Sequence, residues 1–253
     1  AGWSLEYFVS SLTGSLYSST DSFTTQFASF QASWREILYT FLFILLTHLI
    51  IIRGVEKGIE KASKVMMPAL FVILIVMAVK VAFMPNAIEG YRFFLSPDFS
   101  KAFAPDTIFT AIGQAFFSLS VGMGCMVTYA SYFKQDNNLT GTSFSVSLLT
   151  MFVAVLAGLV IFPAVFSAGL EPTEGASLIF ITLPNVFNNM PGGRIWGSLF
   201  FIFMSFAALS TVVAVFENIM SFNMDLLGWS RKKSVLVNLI AILVLSMPAV
   251  LGL

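Results

Sequence analysis

The chain has 253 residues, of which 57% are hydrophobic and only 10% charged, with 13 Lys and Arg balancing 13 Asp and Glu. A mean hydropathy of +0.89, set against the ~25% charged residues of a soluble domain, marks a polytopic membrane protein, and zero net charge leaves no electrostatic footprint for nucleic acid. A single cysteine, Cys125, and a single histidine, His48, exclude an internal disulfide framework and a cysteine-cluster metal site.

Spanning a bilayer takes roughly 20 apolar residues, and the runs 34–52, 65–84, 107–133, 143–168, 194–227 and 233–253 meet that need. Residues 1–17 read as the tail of another span. The chain opens at Ala1-Gly2-Trp3, already inside an apolar segment, with no initiator Met and no signal-peptide pattern, so a fragment is expected. His48 lies in the 34–52 run and is expected to pack against a neighbouring helix. The runs 107–133 and 194–227 measure about 40 and about 50 Å at ~1.5 Å per residue, so each is expected to be tilted, broken or protruding.

The connection 169–193 carries Gly169, Pro172, Gly175, Pro184 and Gly192-Gly193 around a short apolar piece, Leu178 to Phe187, too short to span. A loop of this length is usually functional, and it is expected to fold back as a lid over an outer vestibule. Arg53, Lys57, Lys61, Lys64, Lys134, Arg231, Lys232 and Lys233 fall on one set of alternating loops, against Arg35, Arg92, Lys101 and Arg194 on the other. The first set is therefore read as cytoplasmic. Asn138-Leu139-Thr140 matches a glycosylation acceptor but lies on that inner side, so it is read as a chance match.

The stretch from Gln114 to Tyr129, QAFFSLSVGMGCMVTY, carries the strongest chemical signal. Gly122 and Gly124 each cost roughly 1 kcal/mol in a helix interior; they serve either close helix packing or a mid-membrane break, which is tolerated where backbone lines a cavity or holds a ligand. Ser118 and Ser120 lie just before the glycines, and Ser118, four residues ahead of Gly122, is placed one turn back on the same helix face. Hydroxyls with freed carbonyls suit a small alkali cation rather than zinc. Ala207-Ala208-Leu209-Ser210-Thr211, mid-way along 194–227, adds a second cluster in which Ala207 is the i−3 carbonyl of Ser210, although such hydroxyls also satisfy themselves on their own helix. Glu217, about 9 Å further along, is an intramembrane carboxylate and so a functional candidate by default; pairing near the interface or a neutral carboxyl are the alternatives. An enzyme would need a nucleophile and a base in one cavity, and Ser118, Ser120, Glu217 and His48 show no helical pairing that supplies them.

At these residues the sequence resembles the neurotransmitter:sodium symporter family, in its bacterial amino-acid branch, over nearly the whole chain. Gly2-Trp3-Ser4-Leu5-Glu6-Tyr7 is similar to the family's third helix, Gln114 through Gly124 to its unwound sixth, and Phe180-Ile181-Thr182-Leu183-Pro184 to its extracellular lid. Gly58, followed by nine residues and Pro68, resembles the fifth-helix motif that the family uses to unwind the inner end of that helix.

The resemblance implies an all-α, LeuT-like inverted-repeat transporter fold with a discontinuous helix. Residues 1–253 would form one partial domain running from the end of the third helix to the ninth, without the first two and the last helices. It implies sodium-coupled symport of an amino acid by alternating access in the cell inner (plasma) membrane. Phe117, Ser118, Ser120, Met123, Thr211 and Val215 would line the substrate pocket. Ser118 and Thr150 would serve a first sodium site, and Ala207, Ser210 and Thr211 a second.

Thr150 stands where the family usually has Asn or Asp, and Ala154 lacks the bacterial acidic residue that replaces chloride. Charge compensation at the first site is thus open between chloride, a carboxylate elsewhere and a weakened site. Phe117, Met123 and Val215 make an apolar cradle, with Met adaptable to bulky groups, so a neutral hydrophobic or aromatic amino acid is expected. The expected surroundings are the lipid bilayer, with a homodimer allowed. Alternatives are a proton-coupled permease of the same fold, using Glu217, and a non-transporting amino-acid sensor.

Overall fold

In a computed structural model the described residues are 1–18, 21–31, 33–132, 138–169 and 175–251. Lys134 and Pro172, together with the last residues of the 107–133 and 233–253 runs, lie outside them. The described residues are helical almost throughout. Helices α1 (Gly2–Thr13), α2 (Ser15–Ser18) and α3 (Phe23–Gln31) lead into α4 (Trp34–Ile51). The Ser33 side chain caps α4 by accepting from the Arg35 N–H, satisfying one of the donors that a helix start leaves open. A π-helical turn, Val55–Glu60, then runs straight into α5 (Lys61–Ala82), which contains Pro68. Gly58 sits in that turn because the Ile50 carbonyl passes where a Cβ would stand.

Helices α6 (Ala87–Leu95) and α7 (Phe99–Ala102) precede α8 (Pro105–Ser118) and α9 (Cys125–Ser131). Next comes α10 (Leu139–Ser167), capped by Asn138, whose side chain accepts from Gly141 N–H. The Asn138-Leu139-Thr140 match is thus a helix start. A second π-helical turn, Leu178–Thr182, continues as α11 (Leu183–Asn188), followed by α12 (Gly193–Leu227) and α13 (Arg231–Val250).

Among the described residues, five segments are long and apolar enough to cross a membrane: α4, Lys57–Ala82, α10, α12 and α13. The run 107–133 breaks, as expected, but 194–227 does not. Its 35 residues form one helix of about 52 Å, longer than the ~30 Å hydrocarbon core, so its excess length goes into tilt or protrusion. No glycine interrupts it between Gly197 and Gly228, which is the physical difference from the 107–133 run.

Helix α12 is the spine of the molecule, packing against α1, α4, α5, α9, α11 and α13. At one end Tyr7, Leu74, Val186 and Phe201 form a core; at the other, Ile51, Val213, Phe216 and Met220 form a second. The 178–187 piece folds back onto α3, α10 and α12. Its Phe180 ring meets Trp3 at 5.5 Å, Tyr7 at 5.0 Å and Phe27 at 5.6 Å. His48 packs as expected: Nδ1 donates to the Ile44 carbonyl at 2.8 Å, Asn238 Nδ2 donates to Nε2 at 3.1 Å, and the Phe216 ring lies 5.1 Å away.

Candidate functional site

The break between α8 and α9 is wider than the two glycines suggest. Helix α8 stops at Ser118, and residues 119–124 are non-helical. Ser120 has φ +52, Gly122 φ +84 and Gly124 φ +77, a left-handed series that costs roughly 1–2 kcal/mol per non-glycine residue and explains the glycines. The Val121 N–H closes onto the Phe116 carbonyl at 2.9 Å, and Ser120 N–H onto Phe117 at 3.1 Å. The expected shared face of Ser118 and Gly122 is therefore corrected: the turn between them is not helical, so the four-residue spacing no longer aligns them.

Breaking the ladder frees carbonyls. Among the described residues no backbone donor reaches the carbonyls of Ser118, Leu119, Val121 or Gly122, groups that hydrocarbon cannot satisfy. The Met123 carbonyl is served from another helix: Asn218 Nδ2 on α12 donates to it at 3.0 Å, and the Thr128 hydroxyl donates to Asn218 Oδ1 at 2.6 Å. Gly124 lets this clamp close, since a Cβ there would meet both polar atoms of Asn218 at 3.1 Å.

On α12 the Ser210 hydroxyl donates to the Ala207 carbonyl at 2.8 Å and the Thr211 hydroxyl to the same carbonyl at 3.2 Å. Three hard oxygens thus sit together. Hydroxyl lone pairs and a carbonyl are the donors an alkali cation takes, so these residues fit a sodium ion whose other ligands come from elsewhere. Thr211, Val215 and Asn218 follow at spacings of four and three, so cluster, candidate pocket wall and clamp share one face of α12.

The remaining predicted residues are less closely assembled. The side chains of Phe117 and Met123 are open, at 74% and 45% exposure. Ser118 is exposed and accepts from Gln114 Nε2 at 3.3 Å. Thr150 is half-buried on α10, a helix that packs against α5 and α6, and among the described residues it has no hydrogen bond to Ser118.

Glu217 is fully buried and receives both arms of Arg231, at 3.0 and 2.5 Å, with the Tyr132 hydroxyl donating at 2.9 Å. Arg231 Nε also donates to the Ile51 carbonyl at 2.9 Å. One guanidinium therefore joins the end of α4 and the start of α13 to the side of α12, and Tyr132 ties the far end of α9 to them. This is the bidentate pairing that fixes the orientation of a carboxylate. Of the readings left open for Glu217, the structure shows pairing. Asn218 and Arg231 escaped the sequence reading; the one available signal was Asn218 lying seven residues beyond Thr211, on the same face.

The sodium:neurotransmitter symporter family matches residues 21–251 of the chain. An uncharacterized sodium-dependent transporter of Haemophilus influenzae is 38% identical over 190 residues, covering 75% of this chain and 41% of that protein. The uncharacterized sodium-dependent transporter YhdH of Bacillus subtilis is 41% identical over 159 residues, covering 63% of this chain and 35% of that protein. The crystal structure of MhsT in complex with L-phenylalanine matches with a TM-score of 0.89 at 39% identity, covering 99% of this chain and 57% of that one. The chain thus spans about two fifths of the Haemophilus relative.

Proposed function

Because the chain belongs to the sodium:neurotransmitter symporter family, we propose that the protein carrying it couples sodium to uptake of a neutral hydrophobic or aromatic amino acid by alternating access. The observation that carries this reading is the break at residues 119–124, with its open carbonyls, docked on the helix that bears Ala207, Ser210 and Thr211. Substrate would lie against Phe117, Ser118, Ser120, Met123, Thr211 and Val215. One sodium ion would take Ala207, Ser210 and Thr211, and another Ser118 and Thr150, with chloride or a distant carboxylate balancing its charge. The phenylalanine in MhsT supports an aromatic substrate, as does the apolar character of Phe117, Met123 and Val215. Glu217 serves poorly as a proton carrier, since Arg231 engages both its oxygens.

The test is radiolabelled uptake by the full-length protein in vesicles, with and without a sodium gradient. Ser210→Ala and Thr211→Val should each raise the sodium concentration for half-maximal uptake by about tenfold, the loss of roughly one ion-directed oxygen. Unchanged sodium dependence in both variants sinks the ion assignment. Competition by acidic or basic amino acids as strong as that by phenylalanine sinks the substrate class.

A further inference from the structure

Beside the π-helical turn, a groove of ≈ 410 Å³ opens between α4, α5 and α12. Its lining is divided by depth: Arg53, Lys57 and Lys61 stand at one end, and Leu46, Val65 and Phe206 form the floor. We propose that this groove is a binding site for an anionic phospholipid, with the phosphate headgroup on the three cations and an acyl chain along the floor.

Charge complementarity carries the assignment. No carboxylate is among the residues that line the groove, and Glu60, in the adjoining turn, is engaged by Lys64 at 2.5 Å. Among the described residues Arg53, Lys57 and Lys61 have no ion-pair partner, and all three are exposed. Three cations with no ion-pair partner among the described residues make a site that attracts phosphate and repels a free cation.

Depth decides between a lipid and a soluble anion. Arg53 follows immediately after α4, whereas Leu46 lies seven residues back inside that span, about 10 Å deeper. Val65 lies one turn inside α5 from Lys61. Cations at the end of the spans and apolar side chains beneath them repeat the layering of a phospholipid. Val65 is 68% exposed and Leu46 41%, so an acyl chain would cover surface that the helices leave open. Lysine stems reach along apolar surface while their charges stay at headgroup level, and basic pockets between spans are suited to anionic headgroups.

The site adjoins the turn Val55–Glu60, so its occupancy should be legible in the backbone there. Gly58 lines the groove and is pinned against the Ile50 carbonyl. A headgroup bridging Arg53, Lys57 and Lys61 spans both sides of this turn and would hold it closed.

The experiment uses the full-length protein in nanodiscs of phosphatidylcholine alone or mixed with phosphatidylglycerol. Lipids retained after detergent extraction are counted by native mass spectrometry, and amide exchange is followed over residues 55–60. Phosphatidylglycerol should be retained selectively and should slow exchange across the turn. Each of Arg53→Gln, Lys57→Gln and Lys61→Gln should weaken retention about fivefold, the worth of one cation near an anionic surface.

Val65→Trp keeps every charge but fills the floor, and should displace the lipid as effectively as removing the cations. The pair Lys232→Gln and Lys233→Gln, at the same end of the molecule but outside the groove, should leave retention unchanged. Equal retention of the two lipids, equal loss in the Lys232/Lys233 variant, or unaltered retention in Val65→Trp each overturns the proposal. So does displacement of the lipid by millimolar inorganic phosphate, which would make the site one for a soluble anion.

Discussion

Helix α9 is fastened to α12 at both ends, by Asn218 through Met123 and Thr128 and by Glu217 through Tyr132. Helix α8, twice as long, buries none of its fourteen residues, and among the described residues its one side-chain hydrogen bond, Gln114 to Ser118, is local. Two pieces of one interrupted helix are thus held in opposite ways. The half that follows the break belongs to the scaffold, and the half that precedes it meets the scaffold mainly through the break itself. For the alternating-access cycle proposed above, such a difference would let one half pivot while the other stays on α12.

Three perturbations break or sharpen this contrast. The largest effect is expected from Arg231→Met, which leaves the fully buried Glu217 with only Tyr132 as partner; removing one member of a buried pair costs about 3–5 kcal/mol. Thermal unfolding of the purified protein in detergent measures it, and adding Glu217→Gln should restore most of the loss. Asn218→Leu comes next, stranding the Met123 carbonyl and the Thr128 hydroxyl at a cost of about 1–3 kcal/mol. Amide exchange should accelerate across residues 119–128 and stay unchanged across 105–117; equal acceleration in both would mean that the two halves are held together after all.

The finest comparison sets Gly113 on α8 against Gly122 in the break, since a Cβ at either position meets nothing within 4 Å. Gly122→Ala should cost about 1–2 kcal/mol through its left-handed backbone, whereas Gly113→Ala should gain up to ~1 kcal/mol as a helix residue. Opposite signs in paired melts confirm that the break, rather than crowding, sets the demand for glycine.

The long apolar runs were legible because membrane spans announce themselves by length and hydropathy alone, and the break was legible because Gly122 and Gly124 stand out in such a run. What ties the break down was not. Asn218 is one of two asparagines in a 35-residue helix, and its partners lie 90 and 95 residues away in sequence, so only the fold brings them together. Arg231 read simply as one more charge on an inner loop; its pairing with Glu217 depends on the left-handed turn at Gly228, which folds α13 back beside α12.

Helix α6 was missed for a different reason. It is nine residues long, below spanning length, and it owes its place to the packing of Phe93 and Phe94 on Phe162 at 5.4 and 5.1 Å. The sequence also placed the start of the break too late. The positive φ at Ser120 has no glycine to announce it.

The aromatic seat of the 178–187 segment has an optical consequence. Trp3 presents its ring to Phe180 and Phe27, while its indole N–H donates to Glu36 at 2.6 Å. Lifting Phe180 would wet one face of the indole while leaving its hydrogen bond in place, so emission should shift to the red with little change in anisotropy. Replacing Trp34, Trp196 and Trp229 by Phe would leave Trp3 as the one tryptophan of these 253 residues, a fluorophore already built into the seat of the 178–187 segment.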